Sequence, residues 1–384
     1  MATTRTEPGN PLGSLQHEQT RFFDCCPDYE TTRPLDDLRQ AEYARLEREG
    51  HVYLDYTGGG LYSERQVQTH MHLLLNHVYG NPHSTNPSSQ AITCLIEAAR
   101  AYVLEFFNAS PEEYVCIFTQ NASGALKLVG ESYPFAPGGR YLLTFDNHNS
   151  VNGIREYARA RGAAITYAPV NPPELRIDTE KLEGFLDQAQ PGAHNLFAYP
   201  AQSNFSGVQH SLAWIEHAQQ KGWDVLLDAA AFVPTNRLDL GAVHPDFVCL
   251  SFYKMFGYPT GVGALLARRS ALAKLHRPWF AGGTITVASV QGDRYFLHLG
   301  AEGFEDGTLN YLTLPALLMR ADIIWKEVEA GVLEAVFRDG IPTHCQAQRF
   351  RFDKDSGLLL QHDYTAEVIS SLAKAAHVVL DHSE

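Results

Sequence analysis

The sequence predicts an α/β protein built on a mostly parallel, doubly wound sheet of about seven strands. Two observations predict it. From residue 114 onward, short apolar runs alternate with stretches of helical periodicity long enough to act as crossovers. Two of the runs, Val225–Leu227 and Phe247–Phe252, are too apolar to face water on either side, as strands covered by helices on both faces must be.

The elements follow in order. Residues 1–30 are rich in Thr, Gly, Pro and Gln and read as a loose arm, extending to residue 34. Leu35–Glu49 reads as an amphipathic helix ending at Gly50. His51–Tyr56 reads as a strand leading into Thr57-Gly58-Gly59-Gly60. A helix begins at Ser63, a suitable N-cap, and stops at Tyr79-Gly80-Asn81-Pro82. Ser88–Asn108 is a long helix, because Ile92, Leu95, Ala99, Val103 and Phe106 fall on one stripe, with Ser88 or Ser89 as its cap.

Strands are then expected at Tyr114–Thr119, Tyr141–Phe145, Ala164–Ala168, Leu196–Tyr199, Val225–Asp228, Val248–Phe252 and Val262–Ala267. Ala122–Glu131, Val151–Arg161, Thr179–Gln188 and Leu212–Lys221 supply helices between them. The last two strands lie too close in sequence for a helical crossover, so Val262–Ala267 should run antiparallel. Beyond residue 320, Asp322–Ala330 and Ala366–Asp381 read as helices, with a strand at Gln348–Phe352. The expected organisation is an arm (1–34), a large domain (35–315) and a C-terminal small domain (316–384).

Composition narrows the function classes. The 384 residues are 45% hydrophobic and 19% charged, with a formal net charge of −14. Such a balance argues against nucleic-acid or acidic-membrane partners. No apolar run reaches membrane-spanning length. Glu7, Pro8 and Gly9 stand where the apolar core of a signal peptide would begin, so a cytoplasmic protein is expected. Cys25, Cys26, Cys94, Cys116, Cys249 and Cys345 form no disulfide framework and no metal-ligand spacing. Cys116 and Cys249 read as buried small hydrophobes.

The informative residues stand at the ends of the predicted strands. In an open α/β sheet, ligands sit beyond the carboxyl ends of parallel strands. Asp228 closes one run in Leu227-Asp228-Ala229-Ala230-Ala231, and Lys254 follows the next in Ser251-Phe252-Tyr253-Lys254. An amine and a carboxylate at one edge suit pyridoxal phosphate, which needs a lysine for a Schiff base and an acid to keep its pyridine nitrogen protonated. Taken alone, the pair is also compatible with an ordinary strand-end acid and a surface lysine. Thr119-Gln120-Asn121-Ala122-Ser123-Gly124 joins a strand to a helix N-terminus, the geometry of an anion site or of a plain N-cap. His148 arrives in Asp146-Asn147-His148-Asn149-Ser150, where an imidazole can stack on a cofactor ring and exchange protons. Gln202-Ser203-Asn204 offers an amide at the same edge. Ser251 and Tyr253 flank Lys254 and can reach a phosphate held near it.

Together these motifs resemble a fold-type I, class V aminotransferase-family protein, within that family most closely the cysteine desulfurase-like domain of molybdenum cofactor sulfurases. The resemblance rests on Val52–Tyr56, Gly80–Ser84, Phe118–Glu131, His148–Gly153, Pro200–Gln209, Leu226–Asp239, Ser251–Ala267 and Phe304–Thr308, spread over residues 50–312. It implies that Lys254 forms the Schiff base and shuttles a proton, Asp228 holds the pyridine nitrogen, Ala230 packs on the ring and His148 stacks on the other face. It implies that Asn204 bonds the ring hydroxyl and that Ala122, Ser123 and Ser251 hold the phosphate. Thr308 would reach that phosphate from a neighbouring subunit, which makes a homodimer the expected assembly.

The C-terminal part departs from the family pattern. Desulfurases carry a catalytic cysteine followed by an arginine that clamps the substrate carboxylate. Here the late cysteine is Cys345, next to His344, and Leu358–Leu360 stand where the arginine is expected, with Arg349 or Arg351 as substitutes. The small domain is also short. The sequence contains no counterpart of the cofactor-sulfuration domain, so the resemblance carries no expectation about molybdenum cofactor. The reading is a pyridoxal-phosphate enzyme acting on a small amino acid, by desulfuration or C–S lysis. The alternatives are another class V reaction (transamination, epimerisation, non-sulfur lysis) or a degenerate scaffold.

Overall fold

A computed structural model describes residues 11–82, 84–319, 323–329, 332–337 and 350–351. Two units divide the chain: Val52–Asp322 with Arg338–Cys345, and Met1–His51 with Ile323–Phe337 and Gln346–Glu384. The helix Arg33–Tyr43, read from sequence as part of the large domain, therefore belongs to the smaller unit.

The larger unit is built on a seven-stranded sheet. Its strands are β1 (Tyr114–Thr119), β2 (Arg140–Thr144), β3 (Ala164–Ala168), β4 (Asn195–Pro200), β5 (Asp224–Asp228), β6 (Phe247–Ser251) and β7 (Gly263–Arg268). They lie in the order β1-β7-β6-β5-β4-β2-β3. Every pairing is parallel except those of β7, which runs antiparallel to both β1 and β6, as its short connection requires. All seven strands match expectation to within about one or two residues at each end, the ordinary uncertainty of strand boundaries.

Period-two alternation explains why the strands read as unbroken apolar runs. Val225, Leu227, Val248 and Leu250 belong to a core on one face, with Ile92, Ala99 and Val103 of the helix Pro87–Phe106. Leu226, Phe247 and Cys249 belong to the opposite core, with Leu126 and Val129 of the helix Ala122–Ser132. Both faces are covered, so both sets of side chains are apolar. Each fully buried Leu, Ile or Phe contributes roughly 1.5–3 kcal/mol, so the two layers together fix the sheet's register. At the start of β7, Gly263 pairs with Thr119 on one side and Ser251 on the other. A Cβ there would come within 2.6 Å of the Asn121 backbone and 2.5 Å of the Leu250 carbonyl.

Several expectations need correction. Pro11–Cys25 forms a helix followed by a 3-10 turn, not a loose arm; the rings of Phe22, Phe23 and Tyr29 cluster there, with Phe22 and Tyr29 5.0 Å apart. The strand expected over His51–Tyr56 pairs with no described strand, and Val52 and Leu54 are exposed. The long helix is capped by Asn86, whose side chain accepts the Ser89 N–H at 3.0 Å, not by Ser88 or Ser89. Val151–Arg161 is two short helices, Asn149–Asn152 and Ile154–Ala160, broken at Gly153. The helix expected over Asp322–Ala330 is instead a strand, Ile323–Glu329, antiparallel to Val332–Phe337. Ile323, Ile324, Trp325 and Val328 favour a strand, and Glu329 pairs with Val332 across only two residues, one of them Gly331. Ala366–Asp381 lies outside the described residues. Among the described residues, no helix is long and apolar enough to cross a membrane.

Candidate active site

The carboxyl ends of β1, β2, β4, β5 and β6 share one edge of the sheet, and a cleft opens there. Its walls include Asn121, Ala122, Ser123, His148, Gln202, Asn204, Asp228, Ala230, Ser251, Tyr253 and Lys254. Every residue singled out within these strand-end motifs is thus brought together. Thr308 is not on this wall and is exposed. Its neighbours are anchored, however. Glu305 accepts from Arg100 at 2.7 Å and from the Phe118 N–H at 2.8 Å, while Asp306 pairs with the buried Arg277. Cys345 lies outside the described residues.

Asp228 is the last residue of β5 and is 7% exposed. Its Oδ1 accepts the Ala230 N–H at 3.1 Å, and it forms no ion pair with a described residue. Burial pushes its carboxyl pKa up; the Ala230 N–H, His148 and Lys254 oppose the rise without cancelling it. Lys254 sits in the short helix Phe252–Phe256, directly after β6, and its Nζ donates to Asn204 Oδ1 at 2.6 Å. Burial pushes its pKa down, against the pull of Asp228 and Asp55. The two shifts have one origin, a partly dry cleft that disfavours both unpaired charges.

At the end of β1, Asn121 caps the helix Ala122–Ser132 by accepting the Gly124 N–H at 2.9 Å. The Ala122 N–H donates to Ser251 Oγ at 2.9 Å, tying this turn to the end of β6. Ser123 and Ser150 share a hydroxyl hydrogen bond of 2.6 Å. His148 is exposed, and its Nδ1 accepts the Ser150 N–H at 3.2 Å. When neutral, the ring therefore carries its proton on Nε2.

Sequence reasoning missed the supports beneath these residues. His210 Nε2 and Asp146 Oδ2 form a buried pair at 2.8 Å, with both side chains under 5% exposed. Ser203 also donates to the Asp146 carbonyl at 3.3 Å, so the loops bearing His148 and Asn204 are fastened together. The glycine run reaches the lysine helix: the Gly60 N–H donates to the Tyr253 carbonyl at 3.0 Å. Gly257 ends that helix at φ +70°, where a Cβ would overlap the backbone of Leu61 and Tyr62. The repeated glycines were the available signal; the Asp146–His210 pair, 64 residues apart, left none.

Residues 52–334 match the family model of class-V aminotransferases. The chain belongs to that family. Among its relatives is the molybdenum cofactor sulfurase of Arabidopsis thaliana, 40% identical over 318 residues, covering 74% of this chain and 38% of that protein. The human molybdenum cofactor sulfurase is 40% identical over 299 residues, covering 74% of this chain and 33% of that one. The chain thus matches about a third of these relatives' length, 38% of one and 33% of the other. Among solved structures, an apo cysteine desulfurase from Thermococcus onnurineus has a TM-score of 0.64 at 27% identity, covering 73% of this chain and 68% of that one. The cysteine desulfurase CsdA of Escherichia coli shares the fold, with a TM-score of 0.63 at 19% identity, covering 88% of this chain and 98% of that one.

The cofactor of this class-V fold is pyridoxal phosphate, and the cleft fits it. A buried carboxylate without an ionic partner is costly unless a cation meets it, and a pyridinium N–H is such a cation. Ala230 leaves a flat wall beside Asp228, and the helix N-terminus at Ala122-Ser123 suits a phosphate. Lys254, depressed in pKa, is poised to act as a neutral amine.

Proposed function

We propose that this chain is a pyridoxal-phosphate enzyme that breaks the C–S bond of cysteine or a related small sulfur amino acid. The observation that carries the reading is the convergence of Lys254 and Asp228 on one cleft, in a chain about 40% identical to sulfurases. The cofactor supplies an electron sink for a carbanion at the substrate Cα. Asp228 holds the ring nitrogen protonated, and that contact keeps the carboxylate ionised despite its burial. Lys254 binds the cofactor and then moves a proton at Cα, a task its lowered pKa favours. Asn204 accepts from Lys254 and limits where Nζ can swing. His148 and Ala230 would hold the ring, and Ser123, Ser251 and the Ala122 turn would hold the phosphate. Tyr253 borders the phosphate end. Thr308 serves the cleft of a second copy, so the working form is a homodimer.

A product screen on the purified, cofactor-loaded protein tests this. Cysteine, cystine and sulfur-free amino acids would be supplied in turn, and sulfide, alanine, pyruvate and keto acids measured. With dithiothreitol supplied to reduce persulfide sulfur, sulfide with alanine identifies a desulfurase; sulfide with pyruvate and ammonia, formed without any reductant, identifies a C–S lyase. Turnover of sulfur-free amino acids alone would overturn the proposal.

A further inference from the structure

One residue on the cleft wall has no role so far. Gln202 is half-buried beside His148, Asn204, Asp228 and Lys254. Two other amide side chains fix its orientation. Asn236 Nδ2 donates to the Phe232 carbonyl at 3.2 Å and to Thr235 Oγ1 at 3.0 Å. A carbonyl oxygen only accepts, so the Asn236 atom there must be nitrogen. The same nitrogen lies 3.2 Å from the Gln202 side chain and shares its two hydrogens among these three acceptors; a Gln202 nitrogen at that place would set donor against donor, so Gln202 presents its oxygen. Gln209 Nε2 donates to that oxygen at 3.3 Å and to Asn236 Oδ1 at 2.9 Å, closing a three-amide ring. With Oε1 held by two donors, Nε2 is the free end, and it donates to none of the described residues. No described arginine lines the cleft.

We infer that Gln202 is a binding residue whose two N–H groups hold an anionic oxygen at the Lys254 end of the cleft, with Asn236 and Gln209 as its positioning residues. The inference rests on the proposed cofactor and substrate. Two groups share the required chemistry: the phenolic oxygen of the cofactor ring and the carboxylate of the amino acid. A neutral amide serves either without placing a further cation beside Lys254, whose ammonium form burial already disfavours.

Gln202→Glu keeps the acceptor and removes the donor: the new carboxylate still accepts from Asn236 and Gln209, while the N–H groups are replaced by an anionic oxygen that repels the proposed ligand. Full-length protein would be titrated with pyridoxal phosphate by fluorescence, scanned for visible absorption and assayed for KM and kcat on cysteine. If the oxygen is the cofactor's, Gln202→Glu weakens cofactor affinity by about 10- to 100-fold and shifts the absorption band. If it is the substrate's, affinity and band stay unchanged and KM rises by a similar factor. Gln202→Leu should lose less, because it adds no repelling charge, and it carries the test if the Glu variant fails to fold. Asn236→Ala should move the same readout part of the way. Variants that fold and stay within about twofold of wild type on every measure overturn the inference. A wild-type protein that binds no pyridoxal phosphate at Lys254 would instead remove the proposed function, and this inference with it.

Discussion

The chemistry at residue scale rests on two groups shifted in opposite directions by the same burial. Lys254 is pushed down and Asp228 up, so each is closer to neutral than its water-exposed counterpart. Lys254→Ala should lose the visible band of lysine-bound cofactor while the far-ultraviolet spectrum stays native. Borohydride reduction of wild type should place the cofactor mass on the peptide bearing Lys254; a label on another lysine would refute the assignment. Asp228→Asn should retain cofactor but lose about 10²–10³-fold in kcat, because an amide cannot stabilise the charged ring nitrogen. Near-normal turnover would mean that another residue meets that nitrogen. These residues were legible because each follows an apolar run that can only be a strand. Gln202 was visible as an amide at the right edge, but its orientation depends on Asn236, 34 residues away, which no local pattern announces.

Among the elements, the fastening between the loops after β2 and β4 governs how steadily His148 and Asn204 are held. Burial raises the Asp146 pKa, but hydrogen bonding and charge from His210, with help from Thr144 and Ser203, bring it below the ordinary Asp value. A depressed carboxylate stabilises the fold fully above the unfolded value of about 3.9, and the contribution is lost as pH falls through the folded value. Asp146→Asn should therefore lower stability at neutral pH and flatten its decline below about pH 4, as read by urea unfolding across pH. An unchanged acid limb would show that the pair contributes nothing there. The seven strands were legible from period and length. The hairpin Ile323–Phe337 was not, because Lys326, Glu327 and Glu329 interrupt its apolar residues at spacings that also fit a helix.

For the whole molecule, the outward position of Thr308 is the feature to test. Glu305 and Asp306 hold its loop against half-buried Arg100 and buried Arg277, yet Thr308 lies off the cleft of its own chain. If it completes a partner's phosphate site, mixing inactive Thr308→Ala and Lys254→Ala proteins should restore part of the activity, since one hybrid site is intact. A fully active monomer in sedimentation would exclude the shared site. Cys345 raises a separate question. Cys345→Ser should abolish sulfur transfer if its thiolate takes the sulfur, and should leave sulfide release intact if the sulfur departs by elimination. We expect the second outcome, because the residues around Cys345 do not follow the desulfurase cysteine loop.

The reversed strand β7 brings three chain segments to one point at Gly263, with room for a hydrogen atom only. The turn proposed to receive the phosphate is closed by the bond from Ala122 to Ser251, and Gly263 sits between the two segments that make it. Anything larger than glycine would act as a wedge, prising the turn open from behind while every wall residue kept its identity. Sequence drift in this chain is thus restrained tightly at a site that a list of ligand contacts would omit.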